Sequence, residues 1–134
     1  MKLFIDTGAF YARYIRNDDY HGRALRLWQK VAKEKIKCQT TNFILAEFGN
    51  LMIRKVGIPN TVKTLREIYS SHVIEIESLT KQIEVKALDW LVKFPDQDFS
   101  FTDTTSFTFM TDSKLKTAFT FDHHFEIAGF NKFA

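Results

Sequence analysis

The chain has one cysteine, Cys38, in 134 residues. A lone thiol closes no internal disulfide and supplies no Cys-rich zinc site, so the sequence reads as that of a cytosolic protein. Proline and glycine are scarce, at 2 and 5 residues, which leaves no room for a collagen-like repeat or a Pro/Gly-rich linker. Long apolar runs are missing too. The longest stretch without a charge, Cys38–Ala46, is nine residues, about half of what a helix needs to cross a bilayer. The opening Met1-Lys2-Leu3-Phe4-Ile5-Asp6 meets an acid too early for the apolar run of a secretory signal. With 45% hydrophobic and 26% charged residues, disorder is excluded, and the length suits one core rather than two. A single domain over residues 1–134 is expected.

Lysine and arginine number 19 against 16 acids, giving a net charge of +3. That balance is compatible with a polyanionic partner. Residues 13–37 hold Arg13, Arg16, Arg23, Arg26, Lys30, Lys33, Lys35 and Lys37 against only Asp18, Asp19 and Glu34. The run reads either as a solvated helix face or as a basic rim beside an acidic pocket. Most of the 14 phenylalanines fall beyond residue 93, so a densely aromatic core is expected at that end.

Lys2–Ile5 reads as a buried strand stopped by a turn at Asp6-Thr7-Gly8. From Tyr20 to Lys35, Leu25, Trp28, Val31 and Ala32 recur at helical steps. Lys37–Gln39 can form a second strand, and Thr40 or Thr41 can cap a helix with Ile44, Leu45, Phe48, Leu51 and Met52 on one arc. Gly57 and Pro59 end that helix, and Asn60–Tyr69 reads as another. Val73–Ile76 alternates as a strand, Thr80–Phe94 returns to helical spacing, and Pro95–Asp98 is a loop. Thr102 is placed to cap a helix through Phe107 and Met110; Thr117–Phe121 is a strand, followed by short turns and an edge strand near Phe130–Phe133. Strands alternating with helices indicate an α/β layer fold with a mainly parallel sheet.

In open parallel sheets, ligands gather outside the carboxyl ends of the strands. Asp6 ends the first strand and Asp122 the last confident one, and Asp103 opens a helix that follows a loop. At about 100° per residue, Glu47 stands about 60° from Ile44 and borders the buried arc of its helix. These four acids could therefore meet at one end of the sheet. Crowded carboxylates repel one another unless a cation neutralises them, and oxygen-only ligands favour Mg²⁺ or Mn²⁺ over zinc. Each acid also has a local explanation. Asp6 serves as a turn residue, Asp103 as an acid favoured at a helix start, Glu47 as a side chain reaching water, and Asp122 as a turn or cap. Asp98 reads as a loop residue, His123 and His124 as surface residues of which one near a metal site could touch a phosphate, and His21 and His72 have no partner at a telling spacing.

Two short motifs mislead. Asp6-Thr7-Gly8 resembles the catalytic segment of retroviral aspartic proteases, which are nearly all β, and Asp122-His123-His124 spells a phosphoesterase motif whose other parts are missing here. Taken in order, Phe4–Ala9, Leu45-Ala46-Glu47, Asp98–Phe107 and Thr120–Phe125 resemble the PIN domain, specifically the VapC-like toxins, over essentially the whole chain. The resemblance implies a PIN-like α/β/α sandwich with a mainly parallel sheet. It carries Asp6, Glu47, Asp103 and Asp122 over as metal-binding acids, with Thr7 and Thr102 as supporting hydroxyls. It further implies an endoribonuclease using Mg²⁺ or Mn²⁺, inhibition by a small antitoxin, and a homodimer with a basic groove. Arg13, Arg16 and Arg23 are the candidate RNA contacts. Gly8 departs from the family, where serine is common, and Thr104–Thr108 is more polar than the usual helix. The rival readings are a non-catalytic PIN-like scaffold and a phosphatase or DNA nuclease using the same acids.

Overall fold

The computed structural model describes residues 1–134. Twelve elements follow one another as β1 (Lys2–Ile5), α1 (Thr7–Tyr14), α2 (His21–Lys33), β2 (Lys37–Thr41), α3 (Asn42–Val56), α4 (Ile58–Tyr69), β3 (Ile74–Glu77), α5 (Lys81–Lys93), α6 (Phe101–Asp112), β4 (Thr117–Phe119), α7 (His124–Ile127) and β5 (Asn131–Lys132). The five strands form one parallel sheet in the order β3-β2-β1-β4-β5, and the helices complete an α/β/α sandwich. No helix is long and apolar enough to cross a membrane.

The strand order explains where a site can form. From β1 the chain winds outward through β2 to β3, then returns to the other side of β1 for β4 and β5. Connections therefore diverge between β1 and β4, leaving a crevice at their carboxyl ends. β1 is buried on both faces, with Leu3, Phe4 and Ile5 fully enclosed, which is why it reads as a continuous apolar run. The Asp6 amide extends the pairing by donating to the Phe119 carbonyl at 3.1 Å.

The aromatic core is broader than the clustering of phenylalanines implies. Phe107 packs edge-on against Phe125 and Phe99 at 5.0 and 5.1 Å, while Phe10, Phe48 and Trp28 add a second aromatic group from the first half of the chain. Burial of each such ring is worth about 1.5–3 kcal/mol.

Several local expectations need correction. Thr7–Tyr14 is helical, although its sequence begins as a turn; burial of Thr7, Ala9, Phe10 and Ala12 holds it against the sheet, and the Trp28 indole donates to the Ala9 carbonyl at 3.0 Å. On α2 the buried face is Ala24, Trp28 and Val31, whereas Leu25 is exposed. Thr41 caps α3 by accepting the Ile44 amide, and Pro59 sits inside the first turn of α4, where its missing N–H costs nothing. Ser100, not Thr102, caps α6.

Candidate active site

A cavity of about 590 Å³ opens at the carboxyl ends of β1 and β4. Its wall includes Asp6, Glu47, Asp103 and Asp122, so the structure brings all four sequence-derived acids to one place. They arrive from separate parts of the fold. Asp6 is the residue between β1 and α1, Glu47 lies in the second turn of α3, Asp103 in the first turn of α6, and Asp122 between β4 and α7.

Each acid is held by a specific neighbour. Thr120 lies just beyond β4 and is fully buried. Its hydroxyl donates to Asp6 Oδ2 at 2.7 Å and accepts the Asp122 amide at 2.9 Å. One hydroxyl thus couples the acid after β1 to the acid after β4. Thr7 donates its hydroxyl to Glu47 Oε1, which ties α1 to α3. Asp103 takes part in a capping box, its Oδ2 accepting the Ser100 amide at 3.0 Å while its own amide donates to Ser100 Oγ at 3.0 Å. Asp122 Oδ1 accepts the His124 amide at 2.9 Å.

Burial and neighbouring acids raise two of these carboxyls. Burial pushes the Asp6 carboxyl up to about 7; the Thr120 hydroxyl and Thr7 amide pull against that, and the charges of Asp103 and Glu47 add to it. Asp103 is raised as well, first by burial and then by Asp122, with the Ser100 amide and His124 opposing the rise. A divalent cation would remove both penalties. The set of carboxylate oxygens suits a hard ion, and Asp6, Asp103, Asp122 and Glu47 are the residues that would hold it.

His124 departs from the surface position expected of it. Its side chain is only 16% exposed, and Nδ1 lies 3.3 Å from Asp103 Oδ2 and 3.2 Å from Asp122 Oδ1. Nδ1 is aligned for a hydrogen bond with neither oxygen. His123, by contrast, is exposed. Asp98 is a loop residue as read, yet it lines the cavity, together with Asp18, Tyr11 and Tyr20. Thr102 lines a neighbouring groove with Glu47, Asn42 and Phe43; its carbonyl accepts the Thr105 and Ser106 hydroxyls.

The three arginines separate. Arg23 approaches the ring of Phe121, a cavity residue, at 5.8 Å, and Arg16 is exposed in the α1–α2 connection. Arg13 turns elsewhere, its guanidinium 4.7 Å from the Trp28 ring in a groove with Ser71 and Val73. Thr120 and His124 were missed in the sequence as site residues. The spacing Thr120-Phe121-Asp122, in which a hydroxyl accepts the amide two residues on, is the only local signal for the first.

Known proteins share this fold. The family model for the PIN domain matches residues 3–131. The 23S rRNA-specific endonuclease VapC20 of Mycobacterium tuberculosis is 34% identical over 128 residues, covering 96% of this chain and 95% of the relative. The crystal structure of that protein, described as a sarcin-ricin loop cleaving toxin, superposes with a TM-score of 0.86 over the same shares of both chains. FitAcB from Neisseria gonorrhoeae, at 15% identity, shares the fold with a TM-score of 0.65 over 100% of this chain and 97% of its own. A parallel sheet in the order 3-2-1-4-5, four acids at its switch point and a family match spanning nearly every residue agree on one conclusion: the chain belongs to the PIN domain family.

Proposed function

We propose that residues 1–134 form one nuclease domain acting as a metal-dependent endoribonuclease, the toxin of a toxin–antitoxin pair. The observation that carries this reading is the convergence of Asp6, Glu47, Asp103 and Asp122 on one cavity. The VapC20 relative, a 23S rRNA-specific endonuclease, makes 23S rRNA the first substrate to test. Mg²⁺ or Mn²⁺ is the expected cofactor, held by Asp6, Asp103 and Asp122 with Glu47 beside them. We read the protein as a cytoplasmic homodimer controlled by a small antitoxin, and membership of the PIN family and the likeness to VapC20 support this.

Asp6, Asp103, Asp122 and Glu47 would hold a divalent ion there, which would supply charge for the phosphodiester and lower the pKa of water. The protein's own part is positional. Thr120 fixes Asp6 and the amide of Asp122 in one orientation, and Thr7 holds Glu47 where it can orient the attacking water and draw off its proton. Water adds to phosphorus in line, the bond from phosphorus to the 3′ oxygen breaks, and the ends are a 5′-phosphate and a 3′-hydroxyl.

The test is cleavage of 23S rRNA by purified protein in Mg²⁺ or Mn²⁺ buffer, with the ends mapped. Asp6→Asn and Asp103→Asn, which remove charge but little volume, are expected to lower the rate by at least ~100-fold while circular dichroism is unchanged. Wild-type rates in both variants would overturn the assignment, and binding without any cleavage by the wild type would leave a PIN-like scaffold in its place.

A further inference from the structure

We propose that His124 Nδ1 is a nitrogen ligand to the divalent ion, so that the site prefers a first-row ion such as Mn²⁺ over Mg²⁺. The inference rests on the metal-dependent reading above and changes its donor set from all-oxygen to mixed.

One polar atom of the site has no hydrogen-bond partner. His124 Nδ1 is buried and unpaired, although two carboxylate oxygens lie within 3.3 Å of it. A buried polar nitrogen without a partner costs on the order of 1–3 kcal/mol. A histidine serving only as a counter-charge would turn its N–H onto one of those oxygens. In this structure the ring does not do so. It packs edge-on against Phe99 at 5.3 Å and 90°, and its backbone amide is committed to Asp122 Oδ1 at 2.9 Å. The nitrogen is therefore held beside both oxygens and bonded to neither.

Those separations have a second meaning. Adjacent ligands on an octahedral ion with bonds of about 2.1 Å stand about 3 Å apart. Nδ1 and Asp122 Oδ1, 3.2 Å apart, are close to the spacing of neighbouring ligands on one ion, and Asp122, His123 and His124 offer donor atoms that all lie within 4.8 Å of one another. An ion beside Nδ1 and Asp122 Oδ1 would give the orphaned nitrogen a partner and offset the crowded carboxylates together. Mg²⁺ is a poor acceptor of imidazole, whereas first-row divalent ions take nitrogen donors more readily. His124 thus discriminates between two ions that four carboxylates alone treat more nearly alike. His123, exposed and 3.7 Å from the same Asp122 oxygen, lacks the burial that would fix it there.

Pulsed electron paramagnetic resonance of the full chain loaded with Mn²⁺ tests this without any turnover. Wild type is expected to show nitrogen modulation of the manganese signal that changes when histidine alone is ¹⁵N-labelled. His124→Ala is expected to lose it and to weaken Mn²⁺ binding about tenfold by calorimetry, with a smaller change for Mg²⁺; His123→Ala is expected to retain both. Bound Mn²⁺ with no histidine nitrogen, or a signal lost only in His123→Ala, would overturn the inference while leaving the nuclease reading intact. Wild type that binds Mg²⁺ but not Mn²⁺ would overturn it too, and binding of neither ion would sink both. If His124→Ala does not fold, a labelled variant with His21, His72 and His123 all replaced by Asn decides the matter, because a surviving signal can come only from His124.

Discussion

At the residue scale the site is governed by one buried acid and one buried hydroxyl. Asp6 is 7% exposed, and its carboxyl is raised from 3.8 to about 7. A folded-state value above the unfolded one stabilises the protein fully below pH 4, and that stability is lost as pH rises through about 7. At about 1.4 kcal/mol per unit, the swing is on the order of 4 kcal/mol in metal-free protein. Asp6→Asn is neutral at every pH, so the variant should be the more stable of the two at pH 8 in EDTA and should show a much flatter pH dependence. Asp103, also raised, leaves it a residual slope. Thr120→Val removes the hydroxyl that lowers Asp6 and should steepen the wild-type fall. Urea melts of the three proteins from pH 5 to pH 8 measure this, and parallel curves would show that Asp6 does not titrate in this range. The identity of Asp6 was legible in the sequence, because a strand-ending acid in a parallel sheet points to the switch point. Thr120 was not, because its partner is 114 residues away and only strand pairing brings them together.

At the element scale, helix starts do more than begin helices. Ser100 caps α6 and Thr80 caps α5, each accepting the amide three residues on. Removing either hydroxyl should cost about 1 kcal/mol of stability. Their effects on cleavage should differ, because the first turn of α6 carries Asp103 and that of α5 carries no cavity acid. Ser100→Ala is therefore expected to lower the cleavage rate severalfold beyond Thr80→Ala at matched fraction folded. Equal rates would mean that the capping box serves the helix alone. Sequence periodicity located most elements but misjudged those set by tertiary contact. α1 contains a glycine and three aromatics in eight residues, so its helical propensity is low, and packing beneath Trp28 decides its form. The α6 cap was read two residues late. Ser100 and Thr102 are both competent hydroxyls, and only the path of the chain from buried Phe99 selects between them. On α2, Leu25 and Ala24 are adjacent, and the larger residue is the one left outside.

At the scale of the whole molecule, the net charge of +3 matters through where it lies. The basic run from residue 13 to residue 37 reads in sequence as one continuous feature, yet folding divides it. Arg23 stands beside the cavity residue Phe121 and Arg16 is exposed between α1 and α2, while Arg13 is spent on Trp28. A guanidinium over an indole contributes about 0.5–2 kcal/mol to stability and nothing to a distant polyanion. RNA should sense Arg16 and Arg23 but not Arg13. In an Asp103→Asn background that binds RNA without cutting it, each neutralised phosphate contact lowers the salt slope of binding by about 0.7 for a single strand. Arg16→Gln with Arg23→Gln is thus expected to reduce the slope by about 1.4 and to leave the melting temperature near that of the parent. Arg13→Gln should do the reverse, lowering the melting temperature at an unchanged slope. Fluorescence anisotropy with labelled RNA from 50 to 300 mM salt separates the two cases. A slope that falls for Arg13→Gln as it does for the double variant would extend the nucleic-acid path across the Trp28 groove as well as the mouth of the acidic cavity.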